Sequence, residues 1–391
     1  MARADCHVVV FNVPWPANYG GVIDSFYRIR AMAQAGLNIA LHCFDYGRGH
    51  APELTRWCTE VFYYPRRPAA FGMLGLEPYI VSSRASVALH HRLLRDNQPI
   101  LFDGLHTTSY LDDPQLEQRR KVVRMHNVEW QYYRALAGVE RRLLPELYYH
   151  LESWRLRRYE SRLHHAQALA CISPADTEYY AELLKGEKTR VNHVAAGHPW
   201  TVVERPLEQG DRVPYALYHG NLSVGENIQA VHYLLSKVFG KTDRPLILAG
   251  MDPDSKIYDW ISDMPHVTLI ADPEEEEMDR LIRGAVAHVL PTFQSTGIKL
   301  KLLRALYTGG HVLVNSPMVE GTGLESFCRV ADDPEEWLAA LELCFSNPYQ
   351  ENDWRARKAL ESKLDTGKGA QQTIALLFPE TATRNPGNQL G

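Results

Sequence analysis

Two doubly wound α/β domains in series are the fold that this sequence predicts, and three observations support it. The chain has 391 residues, more than one hydrophobic core usually serves, so two domains are expected. Short apolar runs rich in β-branched residues alternate with longer stretches of helical periodicity, which is typical of parallel sheets covered by helices. The alternation stops at a polar, proline-containing segment near 200–213, which we take as a linker, and then starts again.

The first half predicts a parallel sheet. HVVVFNV (7–13), an amphipathic helix from Val22 to Ala35 and NIALHCF (38–44) form a βαβ opening. In LYYHLESWRLRRYESRLHH (147–165), helical spacing predicts that the apolar residues form a buried stripe and that the arginines face solvent, the alternative being contact with an acceptor or a membrane surface. Further strands are expected at ILFDGL (100–105), KVVRMHN (121–127), ALACIS (168–173) and RVNHVAA (190–196).

The second half repeats the pattern with YALYHGN, PLILAGM, VTLIAD, AHVLPT, HVLVNS and CRVADD. We therefore expect domains at 1–205 and 206–350, a helical segment at 351–378 that can pack back on the N-terminal domain, and a disordered tail at 379–391. The acidic run DPEEEEMD (272–279) predicts a helix start rather than a metal site, with Asp272 as N-cap, Pro273 next and glutamates in the first turn.

Composition narrows the function. Apolar residues make up 45% and charged residues 23% of the chain, and the net charge is -5, which argues against a general nucleic-acid binder. The six cysteines show no zinc spacing and predict reduced core thiols. The N-terminus lacks a signal-peptide pattern, and no run approaches a membrane span. We expect a cytoplasmic protein, with any membrane contact limited to the surface.

The stretch PTFQSTGIKLKLLRALYTGG (291–310) predicts an anion site. Thr296 and Gly297 are expected at a helix entrance, Lys299 in the first turn, and Lys301 and Arg304 farther along. Cations there oppose the helix dipole, so an anion such as a diphosphate is expected to compensate them. The alternative is that these are solvent-facing side chains of an amphipathic helix.

A second candidate loop follows the first predicted strand. In PWPANYGGVIDSF, Gly20 and Gly21 precede a helix whose unpaired amides could face a phosphate. A simple tight turn explains the paired glycines equally well.

Several motifs together resemble family 4 glycosyltransferases of the GT-B fold, over nearly the whole chain. They are PxxxxYGG, RMHNVEWQYY (124–133), ACISPADTEYY (170–180), YHGNLSVGEN (218–227) and LPTFQSTGIKLKLLRALYTGGHVLVNS (290–316). The resemblance implies two Rossmann-like domains facing across a cleft, with a nucleotide-diphosphate sugar on the C-terminal domain and the acceptor on the N-terminal one. It also implies that no metal is needed, because loop amides, helix dipoles and basic side chains stabilise the leaving diphosphate.

The resemblance also assigns residues. Gly20 and Gly21 match the glycine loop near the donor phosphates, and His126 matches a histidine that approaches the donor sugar. The family usually has two glutamates that bind hydroxyl groups of the donor sugar and of the ribose. The aligned residues here are Thr296 and Arg304, so both acids are replaced.

A second departure concerns the diphosphate. The family's arginine and lysine facing it align here with Asn221 and Glu226. We hypothesise that Lys299, Lys301 and Arg304 supply the missing positive charge. Acids that grip hydroxyl groups could then come from Glu226 or from Glu320 in the turn PMVEGTGLES (317–326).

The resemblance implies transfer with retention, in which the leaving phosphate oxygen takes the acceptor proton, and hinge motion at the linker that closes the domains around the donor. An inverting enzyme would instead need a carboxylate base, for which Asp24, Asp103 and Glu129 are candidates. Our catalytic candidates are His126 and Glu129.

The predicted function is transfer of a sugar from a nucleotide sugar to a saccharide or lipid-linked saccharide in bacterial surface polysaccharide biosynthesis. YYPRR (63–67) and WQYYR (130–134) could line the acceptor groove. The alternatives are a non-catalytic sugar-nucleotide-binding or scaffold protein and, less favoured by the motifs, a GT-B sugar-nucleotide 2-epimerase.

Overall fold

The structure is a computed structural model that describes residues 3–68, 75–139, 142–203, 213–294, 297–347 and 349–379. The chain divides into two compact units, Met1–Pro199 with Asp365–Gly391, and Trp200–Leu364. The division thus falls at Pro199, where the sequence analysis placed it at 205. The predicted tail lies outside the described residues beyond Pro379.

The first unit contains a seven-stranded parallel sheet of order β3-β2-β1-β4-β5-β6-β7. Its strands are β1 (Cys6–Val10), β2 (Ile39–Asp45), β3 (Glu60–Pro65), β4 (Ile100–Asp103), β5 (Lys121–Met125), β6 (Ala168–Cys171) and β7 (Arg190–His193). Its helices in the first part of the chain are α1 (Gly20–Gln34), α2 (Tyr79–Ser82), α3 (Val87–Leu93), α4 (Glu129–Val139), α5 (Leu143–Tyr159) and α6 (Pro174–Leu183).

The second unit contains a six-stranded parallel sheet of order β10-β9-β8-β11-β12-β13. Its strands are β8 (Ala216–Asn221), β9 (Leu246–Met251), β10 (Val267–Ala271), β11 (Ala287–Leu290), β12 (His311–Val314) and β13 (Arg329–Val330). Its helices are α7 (Gly225–Tyr233), α8 (Ser255–Ile261), α9 (Glu275–Gly284), α10 (Leu300–Thr308), α11 (Ser316–Val319), α12 (Pro334–Ser346), α13 (Glu351–Arg357) and α14 (Ala359–Lys363).

Both sheets follow the predicted pattern because their central strands are buried on both faces. Every residue of β1, β4, β11 and β12 is buried, which continuous apolar runs permit and alternating ones do not. Helix α1 buries Val22, Phe26, Ile29 and Met32, a stripe at helical spacing. The strand β3 was missed, because EVFYYP mixes polar and aromatic residues.

The C-terminal helical segment predicted at 351–378 is divided between the two units. Helices α13 and α14 belong to the second unit, where the Tyr307 hydroxyl donates to the Leu360 carbonyl at 3.1 Å. The last helix, α15 (Thr366–Leu377), belongs to the first unit and buries Ala370 and Leu377 in the same apolar cluster as Phe26.

The prediction for the start of α9 was wrong in detail. Glu274 is the N-cap, and Asp272 lies outside the helix at φ +48°, where its carboxylate accepts from the Asp252 amide at 2.8 Å. The glutamates do lie in the first turn of α9, as the helix dipole favours.

The buried apolar stripe expected at 147–165 was wrong in its first part, where Leu147 and Trp154 of α5 are exposed. Leu143, Leu144 and Leu147 are 81%, 82% and 66% exposed, and Trp154 is 52% exposed. The buried face of α5 instead carries Glu152, Ser153, Arg155, Leu156 and Tyr159. Local ion pairing makes this burial tolerable, because Arg155 donates to the Glu152 carboxylate at 2.7 Å and the Tyr79 amide donates to its other oxygen.

All six cysteines are free thiols, and five of them are buried. Among the described helices, none is both long enough and apolar enough to cross a bilayer.

Candidate functional site

Each sheet has a switch point, where the connections that leave two neighbouring strands run in opposite directions along the sheet. In the first sheet β1 and β4 are such neighbours, and in the second sheet β8 and β11 are. Ligands of open α/β sheets bind outside the carboxyl ends of the strands at these points. Most of the predicted site residues lie near one of these two switch points.

In the first unit, His126 lies between two aspartates. It follows β5, and its Nε2 lies 3.0 Å from the carboxylate of Asp103, the last residue of β4. Its Nδ1 lies 3.3 Å from the carboxylate of Asp24 on α1. The Ser25 hydroxyl makes a short hydrogen bond to the other oxygen of Asp103. The ring of His126 is therefore held by carboxylates on both of its nitrogens.

Asp24 is the centre of a buried charge network. Arg124 donates to its two oxygens at 3.0 and 3.2 Å, Arg28 forms an ion pair with it, and the Gly197 amide donates at 2.6 Å. Burial by itself would raise the pKa of Asp24, but the charges of Arg124, Arg28 and His126 outweigh it and hold the pKa far below its usual range. Asp24 is consequently a fixed anion.

Asp24, Asp103 and His126 also form the one group of potential metal ligands in the described part of the chain, with ligand atoms within 4.8 Å of one another. Its chemistry does not fit a cation, because guanidinium groups already occupy the Asp24 oxygens. Sequence reasoning named Asp24 and Asp103 as alternative bases and missed Arg124, although RMHN places it at the end of a strand.

Glu129 begins α4 and is 3% exposed. Burial raises the pKa of its carboxyl to about 8, against the opposing effect of a hydrogen bond with Asn127. A carboxyl group in this state carries a proton at neutral pH. It can donate that proton more readily than it can accept one.

The paired glycines open α1. Gly20 is exposed, and a Cβ there would meet nothing within 4 Å. At Gly21 a Cβ would come 2.5 Å from the Phe11 ring, so this position requires glycine for packing. The side chain of the N-cap residue Tyr19 makes no capping hydrogen bond to the first amides of α1. These amides begin at the exposed Gly20.

In the second unit, Glu226 and Lys299 meet at the switch point. The Lys299 ammonium lies 3.7 Å from Glu226 Oε1, and the side chains are 17% and 11% exposed. Thr292, just after β11, donates a short hydrogen bond to the same carboxylate. Asn315, just after β12, holds the backbone of Thr292. The Thr292 N–H donates to Asn315 Oδ1 at 2.9 Å, and Asn315 Nδ2 donates to the Thr292 carbonyl at 2.6 Å. Sequence reasoning missed Thr292 and Asn315, although both lie at strand ends.

Lys301 is partly buried, with its ammonium enclosed by polar side chains. Its ammonium donates to Asn227 Oδ1 at 2.7 Å and to the Tyr218 hydroxyl at 3.1 Å, and it lies 4.9 Å from the centre of the Tyr218 ring. Burial lowers the pKa of Lys301 to about 8, although Glu226 opposes the shift. Asn227 also donates to the Asn221 carbonyl at 2.7 Å, which ties α7 to the end of β8.

The other predicted residues of this set lie as follows. Helix α10 begins at Leu300, so Lys299 is its N-cap rather than part of its first turn. The Arg304 guanidinium pairs with Glu275 at 2.8 Å and Asp279 at 2.5 Å on α9. Gly297 adopts φ +65°, Thr296 lies outside the described residues, and Glu320 is exposed after α11. Acids of the protein itself therefore compensate two of the three cations that the sequence pattern assigned to a ligand.

Comparison with known proteins identifies the architecture. No family model matches the chain. It is 26% identical over 334 residues to an uncharacterized 44.6 kDa protein in the cps region of Klebsiella pneumoniae, covering 81% of this chain and 84% of that protein. Anabaena Alr3699/HepE in complex with UDP and glucose superposes with a TM-score of 0.66 at 12% identity, over 96% of this chain and 99% of that one.

Two further solved structures agree. WaaG, a glycosyltransferase involved in lipopolysaccharide biosynthesis, gives a TM-score of 0.64 at 12% identity, covering 95% of this chain and 99% of that one. The lipopolysaccharide outer core galactosyltransferase WaaB gives 0.60 at 12% identity, covering 96% and 99%. The chain has the GT-B fold. The predicted fold class, two Rossmann-like α/β domains, is thereby confirmed.

Proposed function

We propose that this protein is a glycosyltransferase that moves a sugar from a nucleotide-diphosphate sugar to a saccharide or lipid-linked saccharide in surface polysaccharide biosynthesis. The observation that carries the proposal is the polar set of Glu226, Thr292 and Lys299 at the switch point of the second unit. This is where a Rossmann-like domain binds a nucleotide. The solved GT-B structures of similar fold include one described with UDP and glucose, and the relative in Klebsiella comes from a cps region.

In this proposal the second unit binds the donor. Lys299 stands at the N-cap of α10 and turns from Glu226 to the diphosphate, where the amides of Gly297 and of the first turn of α10 also point. Glu226, held by Thr292, then accepts from a sugar or ribose hydroxyl. Lys301 holds Asn227 and so fixes the end of β8. The charge of the leaving diphosphate is stabilised by fixed donors, which is the task set by the transition state.

In this proposal the first unit binds the acceptor, and His126 acts in the transfer step. Because the Asp24 and Asp103 carboxylates hold both nitrogens of His126, its ring is fixed in orientation. We propose transfer with retention: the bond from the anomeric carbon to the diphosphate breaks, an acceptor hydroxyl attacks from the same face, and the leaving phosphate oxygen takes the hydroxyl proton. No metal or other cofactor takes part in this scheme.

We also propose that the enzyme works at the cytoplasmic face of a membrane. The exposed face of α5, formed by Leu143, Leu144, Leu147 and Trp154 and followed by Arg157 and Arg158, suits an interfacial helix near anionic lipids. Buried thiols fit a reducing compartment. Contact there would bring the acceptor side of the enzyme to a lipid-linked saccharide.

The first experiment is a thermal-shift panel of nucleoside diphosphates and their sugars. A ligand at about a hundred times its Kd should add roughly 2.7 kcal/mol to the stability of the folded state. We expect one nucleotide to stand out, and we expect Lys299→Gln to weaken its binding while Lys237→Gln, a change of the same charge at an exposed position in the same unit, does not. An unchanged affinity of Lys299→Gln, or of the charge reversal Lys299→Glu, would contradict the donor site.

A transfer assay with the selected sugar nucleotide separates the alternatives. Transfer to an acceptor, or hydrolysis of the donor, identifies an enzyme, whereas binding without turnover identifies a sugar-nucleotide-binding scaffold. A product altered at C2 of the sugar without transfer identifies an epimerase. NMR of the new linkage tests retention, and activity in the presence of a chelator tests metal independence.

A further inference from the structure

Three arginines gather at the carboxyl ends of β1, β2 and β3 in the first unit. Arg84 donates to the carbonyl of Phe11, just after β1, at 2.8 Å. Arg48 lies in the loop after β2, and Arg66 directly follows β3. None of these arginines belongs to the charge network around His126 described above.

The guanidinium groups contact neutral atoms. Arg84 also donates to the Ile80 carbonyl at 2.7 Å, and Arg66 donates to the Ser83 hydroxyl at 3.2 Å. Arg48 donates to the Asn18 side-chain oxygen at 3.1 Å and to a nearby backbone carbonyl. Among the described residues, no carboxylate forms an ion pair with any of the three guanidinium groups.

The adjacent carboxylate, that of Asp45, is hydrogen-bonded to the backbone of the turn. Asp45, the last residue of β2, accepts from the backbone amides of Arg48 and Gly49 at 3.0 and 3.1 Å. Burial, with a further contribution from the charge of Arg66, lowers the pKa of Arg84 to about 10. The charges of Arg66 and Arg84 therefore repel each other, and a bound anion would relieve this repulsion.

Tyrosine rings orient the arginines. The Arg66 guanidinium lies 4.5 Å from the ring centre of Tyr46 and 4.9 Å from that of Tyr79, and Arg48 lies 5.2 Å from that of Tyr19. Stacking uses the flat face of a guanidinium and leaves its in-plane N–H groups for an oxyanion. Tyr46 is 50% exposed, so solvent and ligands reach the Arg66 side of this cluster, whereas Arg84 is buried and donates to backbone carbonyls.

We propose that this arginine–tyrosine cluster, formed by Arg48, Arg66 and Arg84 with Tyr19, Tyr46 and Tyr79, binds an anionic group of the acceptor saccharide. A carboxylate of a uronic acid and a phosphate ester share the necessary chemistry, two oxygens that accept from one guanidinium edge. The identification of this anion as part of the acceptor rests on the proposed function. The exposed Tyr46 ring also offers a surface on which a sugar ring can stack.

Binding of defined saccharides to the full chain tests this proposal. The probes are a glucuronate-containing tetrasaccharide, the same tetrasaccharide with its carboxyl groups reduced to alcohols, and a phosphate ester of the reduced form, each measured by calorimetry at two salt concentrations. Arg66→Gln and Arg48→Gln remove charge from the cluster. Arg66→Lys keeps the charge and removes the planar donor pair. Arg56→Gln is the matched control, because Arg56 is exposed in the turn before β3.

We expect at least one acidic tetrasaccharide to bind tenfold or more tightly than the reduced form, and the binding to weaken as salt rises. The stronger of the two acidic probes identifies the anion. Arg66→Gln and Arg48→Gln should each lose tenfold or more of that affinity, Arg66→Lys an intermediate amount, and Arg56→Gln less than twofold. Equal binding of acidic and reduced saccharides, or no binding of either, overturns the proposal. So does an equal loss in Arg56→Gln.

Binding of UDP to the same variants separates this proposal from the proposed function. We expect Arg66→Gln to bind nucleotide as the wild type does. If the wild type binds acidic saccharides but no nucleotide, the donor site is wrong and the cluster stands. If it binds nucleotide but does not prefer acidic saccharides, the cluster is wrong and the donor site stands.

Discussion

Replacing Lys301, the partly buried lysine of α10, tests the electrostatics of the site directly. Burial lowers the pKa of Lys301 from 10.5 to about 8. The folded state therefore binds fewer protons than the unfolded state between these values, and stability should rise with pH across this window. At 1.36 kcal/mol per pKa unit, the shift corresponds to about 3 kcal/mol. The variant Lys301→Met, which lacks the titrating group, should not show this rise.

The assay is urea unfolding at several pH values from 7 to 10.5, followed by tryptophan fluorescence and fitted with one transition for each unit. Buried thiols and tyrosines such as Cys43 and Tyr218, whose pKa values are raised by burial, lower the stability of both proteins at alkaline pH. The informative quantity is therefore the stability of the wild type minus that of Lys301→Met, which should grow by about 3 kcal/mol. Lys237→Met, at an exposed position, should leave this difference from wild type flat. A flat difference for Lys301→Met would show that its ammonium is hydrated and would refute the reasoning.

Three further outcomes are expected. Asp103→Asn removes the carboxylate facing His126 Nε2 at 3.0 Å and should lower kcat roughly tenfold to a hundredfold, in the range of acid–base and positioning effects, with little change in KM, measured in the transfer assay. His42 is buried and its pKa is lowered well below the ordinary value by burial and by the charge of His7, so stability should fall as pH drops below about 6.5; His42→Phe should lose less stability than the wild type between pH 7 and 5, measured by urea unfolding. Leu144→Ser and Leu147→Ser should each weaken binding to anionic vesicles roughly tenfold, because each removes about 1.5 kcal/mol or more of apolar burial, measured by co-sedimentation, and binding that is insensitive to both changes would exclude the α5 face as the contact.

Periodicity predicted the fold well because the central strands leave little choice. A strand buried on both faces must be a continuous apolar run, and the runs at β1, β4, β11 and β12 are visible in the sequence. Edge strand β3 was missed, since only one of its residues, Tyr64, is buried. Local pattern also failed for α5, where the buried ion pair of Glu152 and Arg155 reverses the face that hydrophobic spacing favours.

The candidate site was less predictable, because its polar residues are far apart in sequence. The approach of Asp24 to Arg124 spans 100 positions, and the approach of Glu226 to Thr292 spans 66. A strand-end position indicates that a side chain lies at the functional edge of a sheet, and this rule pointed to His126 and Asp103. The rule does not indicate which charged side chains form ion pairs with one another.

The proposed donor site depends on how far the charges of its own side chains compensate one another. A run of cations at a helix start suggested an anionic ligand, but Glu226 already provides a counter-charge for Lys299 at 3.7 Å. That separation exceeds a charge-assisted hydrogen bond, whereas the bond from Thr292 to the same carboxylate is short, so Thr292 rather than Lys299 fixes Glu226. In the proposed function, a diphosphate with more negative charge draws Lys299 away from a carboxylate to which it makes no close hydrogen bond. Glu226 stays in place and becomes available to a hydroxyl group. In the proposed function, Glu226 is thus an internal counter-ion for Lys299 that the donor diphosphate replaces.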